Sequence, residues 1–294
     1  MVLESIQEIS PYLKKNTYGI CDFSFSNIFA WQKAFNTQYA VIEGYLVLKS
    51  ISPDGKTRFL MPVGGEIENL KKVIFALMET AEKEKSDFEI VSASEEFAKE
   101  VEELFEGALV AKDNRDYCDY RYLAQTLSDL KGKKLHSKRN HINKFKELYP
   151  DFEYKTITAE MIPECAEMQK KWCEKNNCKE ESSLDRESCA VRRVFRHFES
   201  LPLRGGALYV NSEMVAFTFG QKLTEDTFDV MIEKAFSDVQ GAYTVINQMF
   251  VQAQNGEFTY INREEDLGIP GLRQAKLSYH PEKLLKKLVI CRNL

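Results

Sequence analysis

The order of hydrophobic periods in the second half of the chain restricts its fold more than any other feature. Residues 163–175 and 188–200 carry a helical period, the second setting Val191, Val194, Phe195 and Phe198 on one face. Residues 206–210, 215–219 and 227–232 then read as three strands, joined by turns at 211–214 and 222–226. A helical period returns at 243–254, followed by a strand at 258–261 and a last apolar segment at 284–291. Two helices, a three-strand meander, a helix and a strand do not make the regular βαβ alternation of a doubly wound sheet. The expectation is a mixed sheet flanked by helices, an α/β fold of the α+β kind.

The first half follows a comparable plan. Residues 39–50 form a hairpin pattern around Gly44, and Ser52-Pro53-Asp54-Gly55 is a turn in which proline fixes φ and glycine accepts a positive one. A returning strand at 59–62 precedes a helix over 70–84, with Leu70, Val73, Ile74, Leu77, Met78 and Ala81 on one stripe. A strand at 88–91 and a helix at 94–105 follow. At 294 residues the chain suits two cores better than one, and the expected division is residues 1–125 and 126–294.

Between the halves lies the sharpest compositional anomaly. Residues 131–146 carry Lys131, Lys133, Lys134, Lys138, Arg139, Lys144 and Lys146 without one acid, so the second domain is entered through a basic helix at 131–148. On a helical wheel Lys138 and Arg139 fall near Leu135 and Ile142, which favours packing these cations against something. The alternatives are a solvated basic linker and a surface for a phosphate-rich ligand, since lysine and arginine both bind phosphate. A net charge of -5 argues against wholesale nucleic-acid coating but leaves room for such a local site.

Neither a signal segment nor an apolar stretch long enough to span a bilayer is visible, and the seven cysteines are scattered without a C-x-x-C pair. Free thiols in a cytoplasmic protein are expected. The spacing of Cys173 and Cys178 does not favour a metal centre with a histidine, and no metal is expected.

The block INREEDLGIPGLRQAKLSYHP at residues 261–281 resembles the signature of a bacterial family related to the catalytic domain of phosphatidylglycerol lysyltransferases. KRNHINKF at 138–145 is similar to that family's other recurring block, and Gly241 and Asn247 lie between the two. The resemblance implies two tandem GNAT-like (acyl-CoA N-acyltransferase) domains, an architecture also found in the Fem aminoacyltransferases. In that superfamily two parallel strands splay apart to admit an acyl or aminoacyl donor; strands 227–232 and 258–261 are the candidates. The turn at 235–243, with Gln240, Gly241, Ala242 and Tyr243, would then face a donor phosphate. It departs from the usual donor loop, because Asp238 stands at the basic or amide position and Tyr243 at the small one.

Acyl transfer needs reactants held together, a stabilised oxyanion and removal of a proton from the nucleophile. Asn262 is a candidate for holding a peptide-like donor arm. Glu264 and Asp266 are candidates for gripping or deprotonating an amine, against the alternative of a loop-shaping ion pair with Arg263. Arg273 and Lys276, with Lys138 and Arg139, are candidates for donor phosphates or developing negative charge, and Tyr279 for donating a proton or hydrogen bond. Glu233, His197 and His280 are weaker candidates. The expected function is acyl or aminoacyl transfer from acyl-CoA (coenzyme A) or aminoacyl-tRNA to an amine or hydroxyl, on a small-molecule or lipid-like acceptor. The alternative is a non-catalytic reader of a phosphate ligand or RNA, with tRNA as a possible partner.

Overall fold

The computed structural model describes residues 3–178, 182–254 and 256–293, and the chain divides into two compact units. Unit 1 comprises Met1–Asp119, Glu265–Gly268 and Leu285–Leu294; unit 2 comprises Tyr120–Glu264 and Ile269–Leu284. A linear division at 125/126 gives the C-terminal segment to the second domain. The structure instead returns it to unit 1 as a strand, because its apolar residues complete the first sheet.

In unit 1, α1 (Ser5–Leu13) and α2 (Phe25–Trp31) precede β1 (Gln38–Ile42), β2 (Tyr45–Ile51) and β3 (Thr57–Leu60). Then come α3 (Ile67–Lys83), β4 (Glu89–Ala93), α4 (Glu95–Leu104) and β5 (Leu109–Lys112). In unit 2, β6 (Asp119–Leu123), α5 (Ala124–Asp129), α6 (His136–Leu148), β7 (Glu153–Thr156), α7 (Ile162–Lys175) and α8 (Ser182–Arg196) lead to the meander. Its strands are β8 (Arg204–Val210), β9 (Glu213–Lys222) and β10 (Thr227–Ala235), followed by α9 (Ala242–Gln252), β11 (Tyr260–Asn262), α10 (Pro270–Leu277) and β12 (Lys283–Leu285). The chain closes with β13 (Leu288–Arg292).

The strand orders are β1-β2-β3-β4-β13-β5 and β12-β6-β11-β10-β9-β8-β7. Each sheet contains a parallel pair, β3 with β4 and β10 with β11, and each pair is joined through a helix. This is the mixed α/β arrangement expected, mixed sheets flanked by helices. Ser94 begins α4 by accepting a hydrogen bond from the Phe97 N–H, an N-cap that fixes where the helix starts. The single segment expected at 284–291 is two strands in different sheets. The helix expected at 188–200 begins at Ser182, ends at Arg196 and passes into a 3₁₀ turn at Phe198–Ser200.

The unit 2 core joins Tyr120 and Tyr122 of β6 and Ile142 and Phe145 of α6 to Val245, Ile246 and Phe250 of α9. Phe228 and Ile261, from the parallel strand pair, belong to the same core. Helices α6 and α9 are therefore set against the face from which these two strands project. Among the described residues no helix is long and apolar enough to cross a membrane.

Candidate functional site

The parallel ladder of unit 2 is short. Strands β10 and β11 pair only at Thr227–Tyr260, Phe228–Ile261 and Asp229–Asn262, after which β10 continues six residues to Ala235 without β11. The register of β10 against β9 shifts between Val230 and Ile232, so Met231 is an extra residue where the pair separates. Such a bulge bends its strand and re-aims the side chains beyond it. Gly220 permits the tight approach here: a Cβ at that position would meet the Asp229 carbonyl oxygen at 2.2 Å.

Beyond the separation, Arg263 reaches back from the end of β11 to Glu233 on β10, Nη2 to Oε1 at 2.9 Å, with both side chains about nine-tenths buried (12% and 11% exposed). Asn247 of α9 donates from Nδ2 to the other oxygen of Glu233 at 3.1 Å. Two polar atoms of this cluster are buried without a hydrogen-bond partner among the described residues: Arg263 Nη1 and Asn247 Oδ1. One is a donor and the other an acceptor, and both sit on residues held by Glu233. A buried polar atom left in this way calls for an explanation, such as strain, a bound water or ion, or a functional role. The Asn247 orientation follows from its partner, because the reversed amide would set oxygen against the Glu233 carboxylate.

Two cations share one aromatic ring here. Lys138 Nζ of α6 lies 4.0 Å from the Tyr279 ring centroid and the Arg263 guanidinium 4.9 Å from it. Burial raises the pKa of the Tyr279 hydroxyl above the ordinary tyrosine range, and the Arg263 charge opposes that rise. Lys138 is half-buried and, among the described residues, has no carboxylate within ion-pair distance. Burial first, and the nearby Arg263 charge second, bring its pKa down to about 8. For Arg263 burial opposes the charge, but Glu233 and the two tyrosines Tyr122 and Tyr279 hold the guanidinium above its ordinary range.

Other sequence candidates are placed differently. Lys276 is buried on α10 and donates to the backbone carbonyls of Arg263 (2.5 Å) and Glu264 (3.1 Å), so its ammonium fixes the β11 exit instead of facing a phosphate. Tyr122 OH donates to the Lys276 carbonyl at 2.8 Å and ties the same turn to β6. Asn262 is fully buried, its Oδ1 accepting from the Glu264 N–H at 2.7 Å in a turn that puts Glu264 at φ 55. Asp266 belongs to unit 1, wholly buried and paired with Arg115 at 3.1 Å; that ion pair and a bond from the Gly268 N–H leave it a loop-shaping residue. Arg273 is half-buried on α10. Arg139 donates to the carbonyls of Leu130 and Gly132, closing the end of α5.

The turn before α9 is bonded to itself at three N–H groups. Ala242 N–H bonds the Val239 carbonyl, and the Thr244 and Val245 N–H groups both bond that of Gly241. Gly241 has φ 89, and a Cβ there would meet the His141 carbonyl oxygen of α6 at 2.7 Å, so α6 covers this side of the turn. Gln240 is exposed, and Tyr243 accepts from the Trp172 indole at 3.3 Å. His280 is exposed and His197 half-buried. Tyr122 and Thr244 escape a sequence reading, although the alternation of Tyr120 and Tyr122 is itself a strand signal.

The chain is similar over its full length to a solved conserved protein of unknown function from Bacteroides thetaiotaomicron, with 40% identity, TM-score 0.93 and 98% of that chain covered. It shares its fold with the C-terminal domain of a putative lysylphosphatidylglycerol synthetase from Agrobacterium fabrum, at 12% identity and TM-score 0.71 over 99% and 92% of the two chains. An uncharacterized Mycoplasmoides gallisepticum protein is 23% identical over 173 residues, 58% of this chain; the match spans 55% of that curated relative's length. The family model described as phosphatidylglycerol lysyltransferase, C-terminal, matches residues 16–291, and the chain belongs to that family.

Proposed function

We propose that this protein is a transferase that moves an aminoacyl group from an activated donor to an amine or hydroxyl acceptor, at the point where β10 and β11 part. The observation that carries this reading is the pair of unpartnered buried atoms, Arg263 Nη1 and Asn247 Oδ1, on either side of Glu233. A simple acyl carbonyl offers only an acceptor, which satisfies Arg263 and leaves Asn247 without a donor. An aminoacyl ester offers a carbonyl to the guanidinium and an amine N–H to the amide. Arg263 is then positioned to stabilise the developing oxyanion, held in place by Glu233. Lys138, with a pKa of about 8, carries positive charge at neutral pH and releases it within reach of the working range.

The donor proposed is an aminoacyl-tRNA in preference to an acyl-CoA. Lys133, Lys134 and Lys146 are exposed along and before α6 and suit an extended polyphosphate. In the turn at Gly241, by contrast, the Ala242, Thr244 and Val245 N–H groups are already bonded internally. The names of the relatives point to a lipid hydroxyl as acceptor.

The test is transfer from tRNA charged with labelled amino acids, beside labelled acetyl-CoA, into total lipid and small amines. Binding of each donor is measured at two salt concentrations. Transfer from tRNA with binding that weakens steeply as salt rises is the expected result. Transfer from acetyl-CoA alone refutes the aminoacyl donor, and binding without turnover of either donor supports a non-catalytic reader instead.

A further inference from the structure

Two thiols lie together at the end of α7, outside the site just described. The Cys178 N–H donates to the Cys173 carbonyl at 3.1 Å, a six-residue ring that folds the chain back over the helix end. The thiols are close enough that Cys173 helps to raise the Cys178 pKa, after burial. Gln169, one turn earlier, donates from Nε2 to Cys173 Sγ at 3.3 Å and orients that sulfur. Cys178 is buried and Cys173 half-exposed. This closure brings the two backbones together, and a disulfide requires such a short approach.

We propose that Cys173 and Cys178 are a redox-active dithiol, converted to an intramolecular disulfide by a low-molecular-weight disulfide oxidant. Exposure assigns the order of events. The Cys173 thiolate attacks one sulfur of the oxidant and releases the first small thiol, leaving a mixed disulfide on Cys173. Cys178 then gives up its proton and attacks Cys173 Sγ, expelling the second small thiol. Two electrons and two protons leave the protein, and the oxidant is reduced to two thiols. Burial, and then the neighbouring Cys173, push the Cys178 thiol up to about 12, which suits a resolving thiol better than an attacking one.

The bond lies beside functional machinery. Trp172 adjoins Cys173, donates its indole N–H to Tyr243 at 3.3 Å, and carries Lys234 Nζ 3.8 Å from its ring. Tyr243 lies in the first turn of α9 and Lys234 next to Glu233 on β10. Closure of the disulfide stiffens the last turn of α7, on which that tryptophan sits.

The full chain is brought to equilibrium with excess oxidised glutathione, alkylated without reduction, and analysed by intact mass and peptide mapping. The expected wild-type product is two hydrogens lighter, with the bond between Cys173 and Cys178. Cys178→Ser should keep a glutathione adduct on Cys173, because nothing resolves it. Cys173→Ser should leave Cys178 unmodified. Both thiols remaining open to alkylation, a glutathione adduct persisting on wild-type Cys173, or a bond to any of the other five cysteines overturns the assignment.

Discussion

Replacing Lys138 by methionine should make the protein more stable at pH 7. The side chain lies against Tyr279, with Arg263 over the same ring and no carboxylate of its own. Were it wholly enclosed, the fall from the ordinary lysine range to about 8 would correspond to about 3 kcal/mol weighing on the charged form. Half-buried, it is reached by water, and screening cuts that to about 1.5 kcal/mol. Methionine fills a similar volume without charge but gives up the ring contact, a loss of about 0.5 kcal/mol. The net gain is about 1 kcal/mol, or about 2 °C in Tm.

The pH dependence tests the cause. Because the folded pKa lies below the unfolded one, the unfolded chain binds more protons between about pH 8 and 10.5. Stability contributed at this residue therefore rises through that interval, and the advantage of Lys138→Met should shrink from pH 7 to pH 10. Urea unfolding at both values measures it, together with the Lys138 titration followed by NMR of the labelled side chain. A variant less stable than wild type at pH 7, a difference that does not change with pH, or a Lys138 that titrates above pH 10 would refute the reasoning. If the proposed transfer is correct, the same variant should lose activity as it gains stability, the pattern of a charge kept for function.

Lys276→Met should destabilise by about 2–3 kcal/mol in urea unfolding, since it leaves two backbone carbonyls without their donor while keeping the volume. Gly241→Ala should cost at least about 1 kcal/mol, because the position combines φ 89 with a 2.7 Å approach to the His141 carbonyl oxygen; a neutral result would mean that the turn and α6 move apart freely. In unit 1, Lys287 Nζ contacts Asp119 at 2.7 Å and Asp22 and Glu265 at 2.8 Å each, so Lys287→Met should cost about 3–5 kcal/mol by leaving buried carboxylates uncompensated. That loss should be smaller at low pH, where the carboxylates protonate.

Periodicity carried much of the architecture, because helices and strands with one apolar face announce themselves locally. It missed β6, where Asp119-Tyr120-Arg121-Tyr122-Leu123 alternates over only five residues, and it could not tell where β13 would go. Apolar residues 288–291 serve as well in one sheet as in another, and only long-range pairing decides. At the site, residues 138, 263 and 279 were each marked by a recurring block, yet their meeting at one ring is a property of the fold. Lys276 shows the limit most clearly. A lysine two turns into a short helix reads as surface charge, and nothing local says that its ammonium turns inward onto the carbonyls of β11's exit. The Asn262 turn and the Asp266–Arg115 pair are of the same kind: polar side chains whose partners are backbone groups or residues far away in sequence.

The two units treat buried charge in opposite ways, and that contrast bears on function. Lys287 in unit 1 is surrounded by three carboxylates, a cation more than compensated, and burial, against the pull of Lys287, pushes the Asp119 carboxyl above its ordinary range. In unit 2, Glu233 pairs with Arg263, while Lys138 lies over the Tyr279 ring that Arg263 also approaches, and the surplus is positive. A chain of net charge -5 has acids to spare for such a place, as the first cluster shows. No acid stands beside Lys138, and the polar atoms next to Glu233 remain unpaired. Folding alone gains nothing from that arrangement, because a half-buried cation without an ionic partner costs stability. In the transfer proposed above, a carbonyl turning into an oxyanion would supply negative charge to this place.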